Sequence, residues 1–131
     1  MRSTIEILTR MSPLIASIKA AERRVIPRNE RIALPRKDRA VIRFDETNRP
    51  IYMSTPAEVA LHHLSILDGK SMLPANIAAA DLGSGLGEFC FTLKEYAGHS
   101  SSISSCKITG FEIHRAYYKA AEEIRLSHGI P

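Results

Sequence analysis

A glycine cluster between an apolar run and a helical pattern constrains the fold of this chain more than any other feature. Residues 77–80 (Ile-Ala-Ala-Ala) lead directly into residues 81–87 (Asp-Leu-Gly-Ser-Gly-Leu-Gly), and a helical pattern follows from Glu88. A short apolar run that feeds into glycines is typical of a buried parallel strand. Gly83 and Gly85 permit a tight turn and let the backbone approach a ligand closely. We therefore expect a strand, a ligand-binding loop and a helix in succession.

Helices and strands alternate on both sides of this loop. The patterns predict helices over 56–69 (with Thr55 as its cap), 88–97 and 116–126, and strands over 77–80 and 107–113. A serine-rich loop over 99–105 connects the middle helix to the second strand. Such alternation predicts an α/β fold in which helices cover a parallel sheet.

The N-terminal segment differs from the rest of the chain in charge. Residues 1–50 carry 12 Lys/Arg against 6 Asp/Glu, whereas residues 51–131 carry 6 against 8. We expect residues 1–50 to form a basic extension, with a helix from Ser12-Pro13 to Pro27 and a linker over 27–39. Short strands are predicted at 41–44 and 51–53. The extension is either a solvated segment or a surface for an acidic partner such as RNA.

The spacing of the glycines discriminates between nucleotide ligands. A dinucleotide site has the pattern G-x-G-x-x-G, whereas this loop has G-x-G-x-G, and no Gly-Lys-Ser/Thr follows to make a P-loop. Asp81 lies two residues before Gly83, where its carboxylate would repel a pyrophosphate and attract an ammonium group. The helix behind the loop favours a carboxylate or phosphate through its free N–H groups. The electrostatics therefore favour a ligand with a positive end and an adenosine.

Glu112 completes the predicted site from the end of the second strand. Its carboxylate can accept two hydrogen bonds from ribose hydroxyls. It follows Gly87 by 25 residues, a separation that the serine-rich loop lengthens. Two other interpretations stay open, a helix cap and an ion pair with Arg115. Ile113 or His114, which follow directly, are the candidates for stacking on the base.

These motifs resemble a known family. Residues 79–87 are similar to motif I of the class I, Rossmann-like S-adenosylmethionine-dependent methyltransferases, and residues 110–113 to the acidic strand end that follows it. The resemblance covers residues 55–126 and implies S-adenosylmethionine as cofactor, with the loop around its methionine part and the acid on its ribose. The expected cofactor-binding residues are Asp81, Leu82, Gly83, Ser84, Gly85, Gly87, Glu112, Ile113 and Thr55.

A second resemblance concerns the segment before the first of these helices. Residues 52–59 (Tyr-Met-Ser-Thr-Pro-Ala-Glu-Val) resemble a segment of a methyltransferase subgroup that includes non-SET protein-lysine methyltransferases. Thr55 would then lie over the cofactor, although an ordinary helix cap explains it equally well. The resemblance slightly favours a protein side chain over RNA as methyl acceptor. The other hypothesis is a noncatalytic module of this fold whose basic N-terminus binds RNA or another acidic partner.

The resemblance also implies missing parts. The sheet of this family has seven strands, of which the chain supplies the first two, and the catalytic motif follows the fourth. We therefore expect a portion of a longer enzyme, inactive by itself, and name no catalytic residue or oligomeric state. A metal site is not expected, since the adjacent His62 and His63 diverge by about 100° on a helix. No apolar run is long enough to span a membrane, and a cytoplasmic protein is expected, with an Arg-rich transit peptide left open.

Overall fold

The chain is an α/β protein, as predicted. The computed structural model describes residues 4–25, 31–33, 41–44, 50–53 and 55–131. The helices are α1 (Thr4–Val25), α2 (Ala57–Gly69), α3 (Glu88–His99) and α4 (Arg115–Ser127). The strands are β1 (Arg31–Ala33), β2 (Val41–Phe44), β3 (Pro50–Met53), β4 (Asn76–Leu82) and β5 (Ser105–Phe111).

Strands β4 and β5 form a two-stranded parallel sheet. Their register runs from Asn76 opposite Ser105 to Leu82 opposite Phe111, so both carboxyl ends lie at the same edge. Strand β5 begins and ends two residues earlier than the predicted 107–113. At this end the Phe111 carbonyl accepts the last hydrogen bond of the parallel ladder from the Gly83 N–H and a further one from the Ser84 N–H, where the chain leaves β4 for the glycine loop. Glu112 therefore lies just beyond the strand rather than at its last position.

Only one face of this sheet contributes to the core. Ile77 is buried, and Ala79, Cys106 and Ile108 pack against the core as partly buried side chains. The opposite face carries exposed residues, including Leu82 at 81% and Phe111 at 54% exposure. Helix α3 packs against β5, and α1 contacts each of the other three helices. The helices therefore pack against one another, and α3 makes the main contact with the sheet.

Helix α1 starts earlier than predicted and continues through Pro13. It begins at Thr4 rather than after Ser12, and its side chains enter the same core as those of α2, α3 and α4. An internal proline costs about 3 kcal/mol because it removes a hydrogen bond and crowds the preceding turn. Burial of Ile7 and Met11 before the proline offsets this cost, since each large apolar side chain contributes about 1.5–3 kcal/mol.

The short strands form a separate antiparallel sheet in the order β1-β2-β3. The hairpin of β2 and β3 agrees with the strands predicted at 41–44 and 51–53, although β3 begins one residue earlier, at Pro50. Strand β1 lies within 27–39, where the prolines and basic residues had predicted only a linker. Its backbone pairs with β2 from Arg31 opposite Arg43 to Ala33 opposite Val41. Pairing of this kind uses backbone groups alone, so the side-chain composition did not indicate it.

The boundaries of α2 and α3 also differ in detail from the predicted ones. Helix α2 begins at Ala57 with Pro56 at the N-cap position, and no side chain of that residue caps it. Thr55, the expected cap, is one residue too early, and the N–H of Ala57 instead donates to Glu88 Oε1 at 3.1 Å. Helix α3 runs through Gly98 to His99, beyond the predicted end at Ala97. The residue that caps α2 is thus Glu88, which is distant from it in the sequence.

A hydrogen-bond cluster fastens the serine-rich loop to the end of α2. Asp68 Oδ2 accepts from Tyr96 Oη at 2.8 Å and from Ser100 Oγ at 2.6 Å, and Oδ1 accepts from Ser102 Oγ. The hydrogen bonds from Ser100 and Ser102 hold the pKa of Asp68 below its usual value. Burial, together with the bond to Asp68, raises the pKa of Tyr96 to about 12. The carboxylate is therefore the common acceptor that orders this loop.

Replacing Asp68 by alanine should destabilise the protein. Removing a charged acceptor shared by three hydroxyls should cost about 2–3 kcal/mol at neutral pH, measured by urea unfolding. Because the folded pKa of Asp68 is depressed, the part of this difference that depends on its charge should be lost as the pH falls from the ordinary value of 3.8 through the lower folded pKa. Ser101→Ala, an exposed change in the same loop, is the control. Equal midpoints for Asp68→Ala and wild type would contradict the role of the cluster.

Candidate functional site

The glycine loop, residues 83–87, is bound to the end of β5 through its backbone. The N–H groups of Gly83 and Ser84 donate to the Phe111 carbonyl at 2.7 and 3.0 Å. Gly83, Gly85 and Gly87 have φ values of 77°, 56° and 84°, in the left-handed region that favours glycine. The alternate glycines are therefore required by the path of the loop.

Glu112 connects this loop to the start of α4. Its Oε2 accepts a hydrogen bond from the Gly85 N–H at 2.8 Å, and its Oε1 accepts one from the His114 N–H at 2.8 Å. These partners are backbone groups, and neither is the guanidinium of Arg115 that sequence reasoning had left open. The two predicted halves of the site are thus in direct contact at the carboxyl edge of the sheet.

Asp81 lies against the first turn of α3. It is half-buried, and its Oδ2 accepts from Cys90 Sγ at 3.4 Å. Burial, followed by the charge and hydrogen bond of Asp81, raises the pKa of Cys90 to about 12, so the thiol remains a proton donor. Gly87 occupies the N-cap position of α3 without a side-chain cap. The first N–H groups of α3 have no intrahelical partner, so they give this end positive character.

The remaining predicted residues lie at the periphery of the site. Leu82 and Ile113 are strongly exposed, Ile113 completely so. The ring of His114, by contrast, stacks on Tyr117 with centroids 4.1 Å apart. Thr55 is exposed at the head of α2, and among the described residues no hydrogen bond joins it to the glycine loop. The structure therefore groups Asp81, the glycines, Ser84 and Glu112, and leaves Thr55 outside this group.

A cleft of about 320 Å³ extends from the glycine loop between α3, β5 and α4. Ser84, Gly85 and Glu112 line its end at the loop. Lys94 and Arg125 line the other end, where they donate to the carbonyls of Pro131 at 3.3 Å and Ile130 at 2.9 Å. The volume lies at the lower end of the range for small-molecule sites. The glycine loop thus borders a cleft large enough for a small molecule.

Two residues that matter for this geometry were not identified from the sequence. A Cβ on Gly110 would lie 2.8 Å from Ser84 Oγ and 3.1 Å from Cys90 Sγ, so glycine is needed where the loop and α3 cross β5. Glu88 is buried at 6% exposure and bonds to the N–H of Ala57. The available signal for Glu88 was an acid within the apolar pattern that follows Gly87. Nothing local indicated its partner, which is 31 residues away.

Comparison with known proteins adds no relative: no protein-family model, no curated protein and no solved structure matches the chain. Within the described ranges, no His, Cys, Asp or Glu cluster is arranged to hold a metal ion. In that same part of the chain, no helix combines the length and apolarity needed to cross a membrane. The site is therefore interpreted from its own geometry.

Gly110→Ala should strain the glycine loop. The added methyl group forces Ser84 and Cys90 to move, and such overpacking costs about 1–3 kcal/mol in thermal or urea unfolding. Adding Ser84→Gly should restore part of the loss, because it removes the nearest contact. Gly98→Ala is the matched control, since its Cβ meets nothing within 4 Å and it lies inside α3, where alanine stabilises by about 0.5–1 kcal/mol. Equal effects of both alanine substitutions would contradict the close approach.

Proposed function

We propose that residues 55–131 bind S-adenosylmethionine and form the cofactor-binding part of a Rossmann-like methyltransferase. The observation that carries the proposal is the hydrogen bond from Gly85 N–H to Glu112, which joins the glycine loop and the acid at one edge of a parallel sheet. Ligands of open α/β sheets bind outside the carboxyl ends of the strands, and that is where this pair lies.

The groups around the loop fit the parts of such a ligand. The N-terminal turn of α3 suits its carboxylate, and the half-buried Asp81 suits its ammonium group. Each carboxylate oxygen of Glu112 keeps acceptor capacity beyond its one backbone hydrogen bond, so ribose hydroxyls can add to the existing contacts. A Cβ built on Gly83 meets no atom within 4 Å, so space over the loop is open. These features support an amino-acid nucleoside rather than a dinucleotide.

Methyl transfer is the chemistry that this ligand supplies, because its sulfonium carries a transferable methyl group. The part of the chain described here would hold and orient the ligand, and no described residue is assigned to deprotonate an acceptor. Transfer also requires the acceptor in line with the methyl group, and such positioning contributes about 7–11 kcal/mol of the barrier. The acceptor we favour is a protein side chain, with RNA as the second candidate.

Calorimetry with S-adenosylhomocysteine and NAD tests the ligand. Wild type should bind the sulfur nucleotide and not NAD. Glu112→Gln should weaken binding at least tenfold, because charged hydrogen bonds are worth about 1.5–3 kcal/mol each and 1.4 kcal/mol is a factor of ten. Glu123→Gln removes a charge from the exposed side of α4, where Glu123 pairs with Arg24, and should leave affinity unchanged. Tight NAD binding with no response to the sulfur nucleotide would refute the proposed ligand.

A second assay separates the enzyme from the binding module. With radiolabelled S-adenosylmethionine and mixed protein and RNA acceptors, the isolated 131-residue chain should bind the cofactor without turnover. The physical reason is that a bound cofactor without an aligned acceptor recovers little of the positioning free energy. Robust turnover by the isolated chain would show that its catalytic groups lie within residues 1–131. Salt-sensitive RNA binding without cofactor binding would instead favour the noncatalytic module.

A further inference from the structure

Glu88 performs an unusual structural task at the start of α3. It directly follows Gly87 of the glycine loop, and its Oε1 accepts the Ala57 N–H at the first turn of α2. Pro56, at the N-cap position of α2, offers no side-chain cap. One carboxyl group therefore joins the head of α2 to the end of the glycine loop across 31 residues of sequence.

The surroundings of this carboxyl group are dry and charged. Its Oε2 is buried without a hydrogen-bond partner among the described residues. Helix α1 brings Glu22, at 3% exposure, and Lys19, whose Nζ lies 3.5 Å from Glu22 Oε2. Helix α2 adds Glu58 to the groups that act on Glu88. Three helices thus contribute charge to one junction next to the loop.

Opposing effects at this junction place the pKa of Glu88 near neutral pH. Burial is the largest cause and raises its pKa to about 7; Glu22 and Glu58 act in the same direction, while Lys19 and the Ala57 N–H oppose them. Because the folded pKa lies above the ordinary 4.5, the stabilisation from neutral Glu88 is complete below pH 4.5 and is lost as the pH rises through about 7. Ionisation of Glu88 therefore destabilises the junction between α2 and α3.

We propose that Glu88 is a proton-sensitive positioning residue that fixes the head of α2 against the start of α3, next to the glycine loop. In its neutral form it bonds to Ala57 and leaves no buried charge, so the loop and α2 stay docked. In its ionised form the hydrogen bond from Ala57 is stronger, but the cost of burying the charge, increased by the charge of Glu22, is larger, so docking weakens. For its effect on a ligand, the inference rests on the proposed function: affinity at the loop falls as Glu88 ionises.

The first test measures the junction without any ligand. Amide exchange at Ala57, corrected for the intrinsic pH dependence of exchange, should lose protection as the pH rises through about 7. The ¹³C shift of the Glu88 carboxyl carbon should titrate over the same range. Glu88→Gln, which keeps an acceptor for Ala57 but cannot ionise, should hold protection constant. Glu58→Gln, the matched change on α2, should retain the pH dependence. If the protection of the Ala57 amide in wild type did not depend on pH, the proposal would be overturned. The wild-type titration decides this even if Glu88→Gln does not fold.

The second test measures S-adenosylhomocysteine affinity across the same pH range. Wild type and Glu58→Gln should lose affinity by about tenfold from one pH unit below the transition to one above it, because a single ionisation changes the docked population by that order. Glu88→Gln should bind equally well throughout. Affinity that is independent of pH in wild type would overturn the coupling to the site. Absence of binding at every pH would refute the proposed function, while exchange at Ala57 would still decide whether Glu88 controls α2.

Discussion

The hydrogen bond between the Gly85 N–H and the Glu112 carboxylate is the interaction on which the geometry of the site depends. It requires a left-handed φ at Gly85, so that the loop can direct this N–H toward the chain that follows β5. It also requires the parallel register that places Leu82 opposite Phe111, because both strands must end at one edge. Gly110 is needed for the close approach of the loop to β5, since a side chain there would displace Ser84. Loop, strand ends and close approach therefore form one arrangement.

Features decided by local physics were predictable from the sequence. The apolar run before the glycines became β4. The apolar spacing of α2 predicts a buried stripe of Ala57, Ala60, Leu61, Leu64 and Leu67, and all but the partly buried Leu67 are buried. Features decided by distant partners were not. Helix α1 continues through Pro13 because Ile7 and Met11 are buried by other helices, and the cap of α2 is Glu88 rather than Thr55. Propensity and capping rules consider only neighbouring residues, whereas these outcomes depend on tertiary contacts.

The site shows the same division. The contact between the glycine loop and Glu112 was predictable from the rule that parallel strands end at a common edge. The direction of each carboxylate did not follow, because it depends on which hydrogen-bond donor, a backbone N–H or a thiol, lies nearby. Glu112 turns toward Gly85 and His114, and Asp81 turns toward Cys90. The acids and their common location were thus predictable from the sequence, whereas the fold determined what each of them contacts.

Three carboxyl groups around one loop differ in solvation, and this difference decides which task each of them suits. Glu112 and Asp81 are half-buried, so each can exchange water for a ligand's hydroxyl or ammonium groups without leaving a buried charge unbalanced. Glu88 is buried, and its free oxygen has no hydrogen-bond donor in the described part of the chain. In the proposed function, a ligand at the loop would contact Glu112 and Asp81, where water can enter. Glu88, from which water is excluded, would act only through the position of α2.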